Sequence, residues 1–146
     1  MDMEQKWQKA HGQAIKDFLK FLNEKTDSFV LKGGTALARC YKLTRFSEDI
    51  DLDAVKEDII PYVEDFCKKR NFQFRVAKNT DTVKRCFVNY GNEAKPLKIE
   101  VSYRSKTISE SDFDKINGIK VYIIDKLSIC PSTTNISSFS KAFSGL

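Results

Sequence analysis

The stretch Arg45-Phe46-Ser47-Glu48-Asp49-Ile50-Asp51-Leu52 constrains this chain more than any other. From Asp49 onward, charged and apolar residues alternate with a period of two, the mark of a half-buried strand. Side chains at i and i+2 of a strand point to the same side. Asp49 and Asp51 are therefore expected to converge on one patch, with Ile50 and Leu52 facing a core. Two like charges about 4 Å apart repel by roughly 1–4 kcal/mol, depending on the local dielectric. A fold that keeps such a pair close commonly does so for a cation; a solvated strand edge carrying acids is the plainer alternative. A calcium loop of the EF-hand type is excluded. It needs glycine at its sixth position and glutamate at its twelfth, and counting from Asp49 gives Ala54 and Ile60.

Upstream, Leu31-Lys32-Gly33-Gly34-Thr35-Ala36-Leu37 reads as a strand that breaks at two glycines and enters a helix, expected over Thr35 to Lys42. Backbone N–H groups at the start of a helix attract an anion. Thr35 can cap that helix or offer its hydroxyl to a phosphate. Taken alone, the glycines are as well explained by a tight strand-to-helix turn. Beside the acid pair, however, an anion cradle next to a divalent-metal seat describes a nucleoside triphosphate site.

The rest of the chain supplies a frame for this pair of motifs. Trp7, His11, Ile15, Phe18, Leu19 and Leu22 recur at three- and four-residue steps, which predicts an amphipathic helix from about Met3 to Lys25. His11 on that face is expected to pack beside the core. A second helix is expected between Glu57 and Arg70, starting near Pro61 and ending at Asn71. Three alternating runs, Phe72–Ala77, Val83–Tyr90 and Leu97–Arg104, then predict consecutive antiparallel strands, with turns at Asn79-Thr80-Asp81 and Gly91-Asn92-Glu93. In the last run Ile99, Val101 and Tyr103 share one face and Lys98, Glu100 and Ser102 the other. Glu100 is thus available as a third carboxylate, although a plain surface position is common there too. Ser105 to Lys115 is polar and expected as a loop or short helix. Gly118 to Ile124 is expected as another strand, and Asp125-Lys126-Leu127 as the start of a helix. From Pro131 on, serines and threonines interrupt any helical period. A core over residues 1–127 and a poorly ordered serine-rich tail over 128–146 are expected.

Composition narrows the class further. The 146 residues suit one domain, and 41% hydrophobic with 12% aromatic residues supply a core. No apolar run approaches the ~20 residues of a membrane span, and Met1-Asp2-Met3-Glu4 lacks the shape of a signal peptide. A cytoplasmic protein with no membrane contact is the expectation. The four cysteines (Cys40, Cys67, Cys86 and Cys130) form no Cys-x-x-Cys pair, and His11 is the single histidine, which argues against a zinc site. Cys40 and Cys67 sit in helix-like runs and read as small buried thiols. A net charge of +5 is compatible with a polyanionic partner such as nucleic acid, and equally with an ordinary lysine-rich surface.

Lys32-Gly33-Gly34-Thr35-Ala36-Leu37, then Arg45 to Leu52, then Lys98-Ile99-Glu100-Val101 resemble the AbiEii-type nucleotidyltransferases. These are toxins of abortive-infection and toxin–antitoxin systems within the DNA polymerase β-like superfamily. The resemblance covers roughly Phe29 to Arg104. It implies an α+β fold with a mixed, mostly antiparallel sheet flanked by helices. It also implies Mg²⁺-dependent transfer of a nucleoside monophosphate from an NTP. By the same resemblance Asp49, Asp51 and Glu100 would hold two Mg²⁺ ions about 3.5–4 Å apart. Glu100 would help deprotonate the attacking hydroxyl. Gly33, Gly34 and Thr35 would bind the triphosphate, and Ser47 would steady the phosphates or its own loop. Lys32 and Arg45 also match, as phosphate contacts or as loop-anchoring salt bridges. The acceptor implied is an RNA, such as a tRNA 3′ end, or a protein. A cognate antitoxin or toxin is the implied partner. Family members continue into a helical region with a further lysine and an Arg…Asp-x-x-Asp-Leu pattern, of which only Asp125-Lys126-Leu127 is present here. The chain therefore reads as the catalytic half. Two alternatives stay open: a non-catalytic module that binds nucleotide or a partner, and a minimal nucleotidyltransferase antitoxin that modifies a partner toxin.

Overall fold

The computed structural model describes residues 3–36, 48–91 and 95–123. Helix α1 (Met3–Lys25) forms where the apolar stripe was expected, and Ile15, Phe18, Leu19 and Leu22 are each at most 1% exposed. The chain then runs into β1 (Val30–Lys32), a helical turn α2 (Gly33–Thr35), and β2 (Asp49–Asp53). Helix α3 (Ile60–Arg70) carries Pro61 in its first turn, where the missing N–H costs nothing. Its last turn holds Lys68, Lys69 and Arg70, favourable cations for the helix C-terminus. Asn71 stops it in the left-handed conformation (φ +58°), and the Phe72 N–H donates back to the Cys67 carbonyl at 2.9 Å.

Three antiparallel strands follow: β3 (Gln73–Asn79), β4 (Val83–Asn89) and β5 (Leu97–Ser102). Strand β3 runs past Ala77 because its register shifts by a bulge between Val76 and Lys78 and pairing then resumes. A 3₁₀ turn (Glu110–Asp112) leads into β6 (Phe113–Ile116) and β7 (Ile119–Tyr122). The seven strands form one sheet in the order β3-β4-β5-β2-β1-β7-β6. The β2–β5 and β1–β7 pairs are parallel and the other four antiparallel. This is the mixed, mostly antiparallel α+β arrangement.

Both long helices cover one face of the sheet. Phe18, Leu19 and Leu22 of α1 and Val63, Phe66 and Cys67 of α3 meet Leu31, Ile50, Leu52, Cys86, Val88, Ile99, Val101 and Val121. Phe18 and Phe66 pack edge to face, with ring centroids 5.2 Å apart. Each such large side chain contributes about 1.5–3 kcal/mol on burial. Because strand side chains alternate, this buried face fixes the opposite one: Lys32, Asp49, Asp51, Asp53, Arg85, Phe87, Lys98 and Glu100 all point away from the helices.

One expectation needs correction. Residues 105–115 are not simply a loop or short helix, because Phe113–Ile116 is a strand paired antiparallel to β7. Asn117 (φ +53°) and Gly118 (φ +81°) both take left-handed conformations, the geometry of the two-residue hairpin turn that matches strand twist. That turn places Gly118 before the strand rather than in it. The polar composition of β6 reflects its place at the sheet edge. Residues 37–42 of the helix expected after Gly34, Asn92 and Glu93 of the turn after β4, Ile124, Asp125 to Leu127, Cys40, Cys130 and the tail from 128 lie outside the described residues.

Candidate active site

The site is built where β1 ends against β2. Gly33 has φ +77°, a conformation that strongly favours glycine. A Cβ placed there would also stand 3.1 Å from Asp51 Oδ2. The glycine is therefore needed twice over, for its backbone angle and for the approach of an acid to the backbone. Lys32 lies opposite Asp51 in the β1–β2 register, and its ammonium pairs with Asp53 Oδ1 at 2.7 Å.

The parallel β2–β5 register puts Asp49 opposite Lys98 and Asp51 opposite Glu100. The β4–β5 register adds Arg85 opposite Glu100. Lys32, Asp51, Glu100 and Arg85 thus form one row across four strands, with charges in the order plus, minus, minus, plus. Arg85 Nε donates to Glu100 Oε1 at 2.6 Å. Lys98 Nζ lies 3.5 Å from Asp49 Oδ2. Among the described residues no cation stands within ion-pair distance of Asp51. Burial pushes its carboxyl above the ordinary range; Lys98 pulls it back, and Asp49 and Glu100 raise it further. The structure therefore brings Gly33, Asp49, Asp51 and Glu100 together. Among the described residues, no three Asp, Glu, His or Cys side chains are already gathered as a metal-holding group. Glu100 is turned to Arg85 and Asp49 to Lys98.

Thr35 is 1% exposed, and its hydroxyl donates to the backbone carbonyl of Asp49. That bond ties the glycine turn to the acid strand. Gly34 follows Gly33 at the same turn, partly exposed. Ser47 and Arg45 lie outside the described residues.

Sequence reasoning missed four supporting residues. His11 is 1% exposed and bridges α1 to the site, with Nε2 2.6 Å from the Glu48 carbonyl and Nδ1 2.6 Å from the Tyr90 hydroxyl. A carbonyl only accepts, so these partners assign the proton to Nε2 and make Tyr90 the donor to Nδ1. The histidine thereby holds the residue that immediately precedes Asp49. Asp53 shares the acid face, pairing with Lys32 and accepting from Tyr122 at 2.8 Å. Burial, then that contact, raises the Tyr122 hydroxyl far above its ordinary range. Asp53 and Lys98 follow from strand alternation, whereas the pairing of Arg85 with Glu100 depends on a register that the turn between β4 and β5 sets. His11 had no sequence signal beyond its place on an apolar stripe. Cys67 and Cys86 are buried free thiols, both pushed up to about 11 by desolvation, and so are inert.

Comparison with known proteins bears on the family and the fold. The family model described as "Nucleotidyl transferase AbiEii toxin, Type IV TA system" matches residues 17–124. A search of curated proteins returned no match. Among solved structures, JHP933 from Helicobacter pylori is 31% identical with a TM-score of 0.69, over 83% of this chain and 54% of that one. A candidate nucleotidyltransferase from H. pylori is 30% identical with a TM-score of 0.69, over 87% of this chain and 57% of that one. The present chain thus spans little more than half the length of these two structures. The antibiotic-resistance factor ANT(2'')-Ia, 16% identical with a TM-score of 0.52 over 94% of this chain and 84% of that one, shares the fold. With its glycine turn set against an acid strand, and with a family match running from α1 to the end of the sheet, this chain belongs to the AbiEii nucleotidyl transferase toxin family.

Proposed function

We propose that this site transfers a nucleoside monophosphate from an NTP to a hydroxyl of an RNA, such as a tRNA, or of a protein, and that it acts as a toxin alongside a cognate antitoxin. The observation that carries this reading is the seating of Gly33 against Asp51, with Asp49 on the same strand face and Glu100 in register beside it. The donor set fits magnesium: three carboxylates on adjacent strands offer only hard oxygen ligands, and the repulsion felt at Asp51 is of the kind a divalent cation relieves. Asp49, Asp51 and Glu100 would hold it. When bound, magnesium supplies positive charge that offsets the charge developing on the transferred phosphoryl group and on the leaving pyrophosphate.

The remaining steps belong to the chain. The Gly33–Gly34 backbone receives the triphosphate at a turn where Gly33 sits at φ +77° close against Asp51. Lys32 adds a cation at the same edge, and Ser47 and Arg45 keep the phosphate roles implied by resemblance. Glu100 takes the proton of the attacking hydroxyl as an oxygen–phosphorus bond forms at the α-phosphorus. The bond to the bridging oxygen breaks, and pyrophosphate leaves. Thr35 and His11 together hold the start of the acid strand by their bonds to the neighbouring carbonyls of Asp49 and Glu48.

The engagement of Glu100 by Arg85 and of Asp49 by Lys98, with no three acids gathered as a metal-holding group among the described residues, favours a second reading, a non-catalytic module that binds nucleotide or a partner. One experiment separates the two. The protein is incubated with each α-labelled NTP, Mg²⁺, total RNA and candidate partner proteins, and label transfer and pyrophosphate are measured. Transfer that disappears in Asp49→Ala/Asp51→Ala supports the enzyme. Nucleotide binding with no transfer to any acceptor supports the module.

A further inference from the structure

Arg85 has no part in the chemistry described so far, yet of the ion pairs between described residues it makes the shortest one to an acid of the site. Its Nε stands 2.6 Å from Glu100 Oε1. The two side chains are only partly exposed, 36% and 27%. In register terms Arg85 closes the charge row at one end as Lys32 does at the other. Lys32 is engaged by Asp53, a fourth acid outside the proposed ligand set, whereas Arg85 is engaged by a ligand itself. A guanidinium is charged at every working pH, so this contact is a fixed positive charge on a carboxylate that is also wanted by a divalent ion.

We propose that Arg85 is a displaceable counter-ion of the acid site: it neutralises Glu100 while no divalent cation is held there and competes with an arriving one for that carboxylate. This inference rests on reading Asp49, Asp51 and Glu100 as a metal seat. Its physical basis is the crowding of acids on β2 and β5. Asp51 and Glu100 are directly opposed, and like charges in that relation destabilise a strand pair. The structure offsets one of the two with Arg85 and leaves the other, Asp51, to burial. A metal drawn to both Asp51 and Glu100 Oε1 competes with Arg85 for that oxygen and its charge. The Arg85 side chain is 36% exposed on the sheet face opposite α1 and α3, which gives it room to move among the described residues.

The opposite role is equally definite: an arginine that orients Glu100 for the metal would weaken binding when removed. The test is calorimetric titration of Mn²⁺, without nucleotide, into the full chain and its variants. Removing the competing charge in Arg85→Met is expected to tighten Mn²⁺ binding about tenfold. Arg85→Lys keeps the charge and is expected to stay near wild type. Arg75→Met removes the same charge from the same sheet face, where Arg75 stacks over Phe87 at 4.4 Å, and is expected to change binding less than about twofold. On a Glu100→Gln background, Arg85→Met is expected to have no further effect. Arg85→Gln serves in place of Arg85→Met if the latter does not fold. Wild-type binding that is lost in Asp51→Asn, together with unchanged or weaker binding in Arg85→Met, overturns the counter-ion and leaves the metal seat standing. No Mn²⁺ binding by folded wild-type protein overturns both.

Discussion

Asp51 is where stability and function oppose each other most plainly. Its folded-state carboxyl is raised above the ordinary 3.8, chiefly by burial, so the folded protein holds that proton more tightly than the unfolded chain does. Such a group favours folding below its unfolded value, and that advantage is lost as pH rises through the folded value. In metal-free buffer Asp51→Asn is therefore expected to raise Tm at pH 7, with the difference closing as pH falls from the raised folded value toward 3.8. A lower Tm at pH 7 would contradict the burial argument. Gly33 gives the complementary case. Gly33→Ala puts a methyl 3.1 Å from Asp51 Oδ2 and forces an L residue to φ +77°. The backbone alone costs roughly 1–2 kcal/mol, which urea unfolding would read as a lowered midpoint at unchanged slope. At His11, both ring nitrogens serve partners in a 1% exposed setting. His11→Ala is expected to cost about 2 kcal/mol by removing a buried side chain and its two part-buried hydrogen bonds. These roles were unevenly legible in the sequence. The two acids announce themselves because the strand period is two, whereas His11 acts through Glu48 and Tyr90, which are 37 and 79 residues away in the chain.

At the scale of elements, periodicity was the reliable signal and local turn chemistry the neglected one. Helix α1, strand β2, helix α3 and the β3–β4–β5 meander all follow from apolar residues at steps of three to four or of two. Strand β6 breaks the rule because an edge strand has little to bury, and only Phe113 and Ile116 bracket its polar Asp114 and Lys115. The signal that identifies it is the dipeptide Asn117-Gly118, both residues at positive φ. Gly118→Val is accordingly expected to cost about 1–2 kcal/mol, with loss of hydrogen-exchange protection confined to β6 and β7. Protection lost across β2 and β5 instead would mean that the hairpin is not an independent edge unit. The salt bridge between Lys32 and Asp53 joins β1 to β2 at a partly exposed site. Lys32→Met is expected to cost less than about 1 kcal/mol of stability. Any larger effect on nucleotide binding would then mark Lys32 as a ligand contact.

For the whole molecule, one sheet separates two tasks. The helix-covered face supplies cohesion, and the opposite face carries acids and bases aligned by strand register. No helix among the described residues is long and apolar enough to cross a membrane. The family was legible because its motif residues are spread over β1, β2 and β5, adjacent strands that must converge if the fold forms at all. The pairing of Glu100 with Arg85 was not, since register between strands 15 residues apart depends on the turns that join them. The central claim is that Gly33, Asp49, Asp51 and Glu100 form a metal-dependent nucleotide site. Its most direct test is calorimetric titration of each NTP into the purified chain, with and without Mg²⁺, alongside Asp49→Ala/Asp51→Ala. Binding that requires Mg²⁺ and is lost in the double variant is the predicted result. Binding that survives in the double variant, or no binding of any NTP by folded wild-type protein, would contradict it.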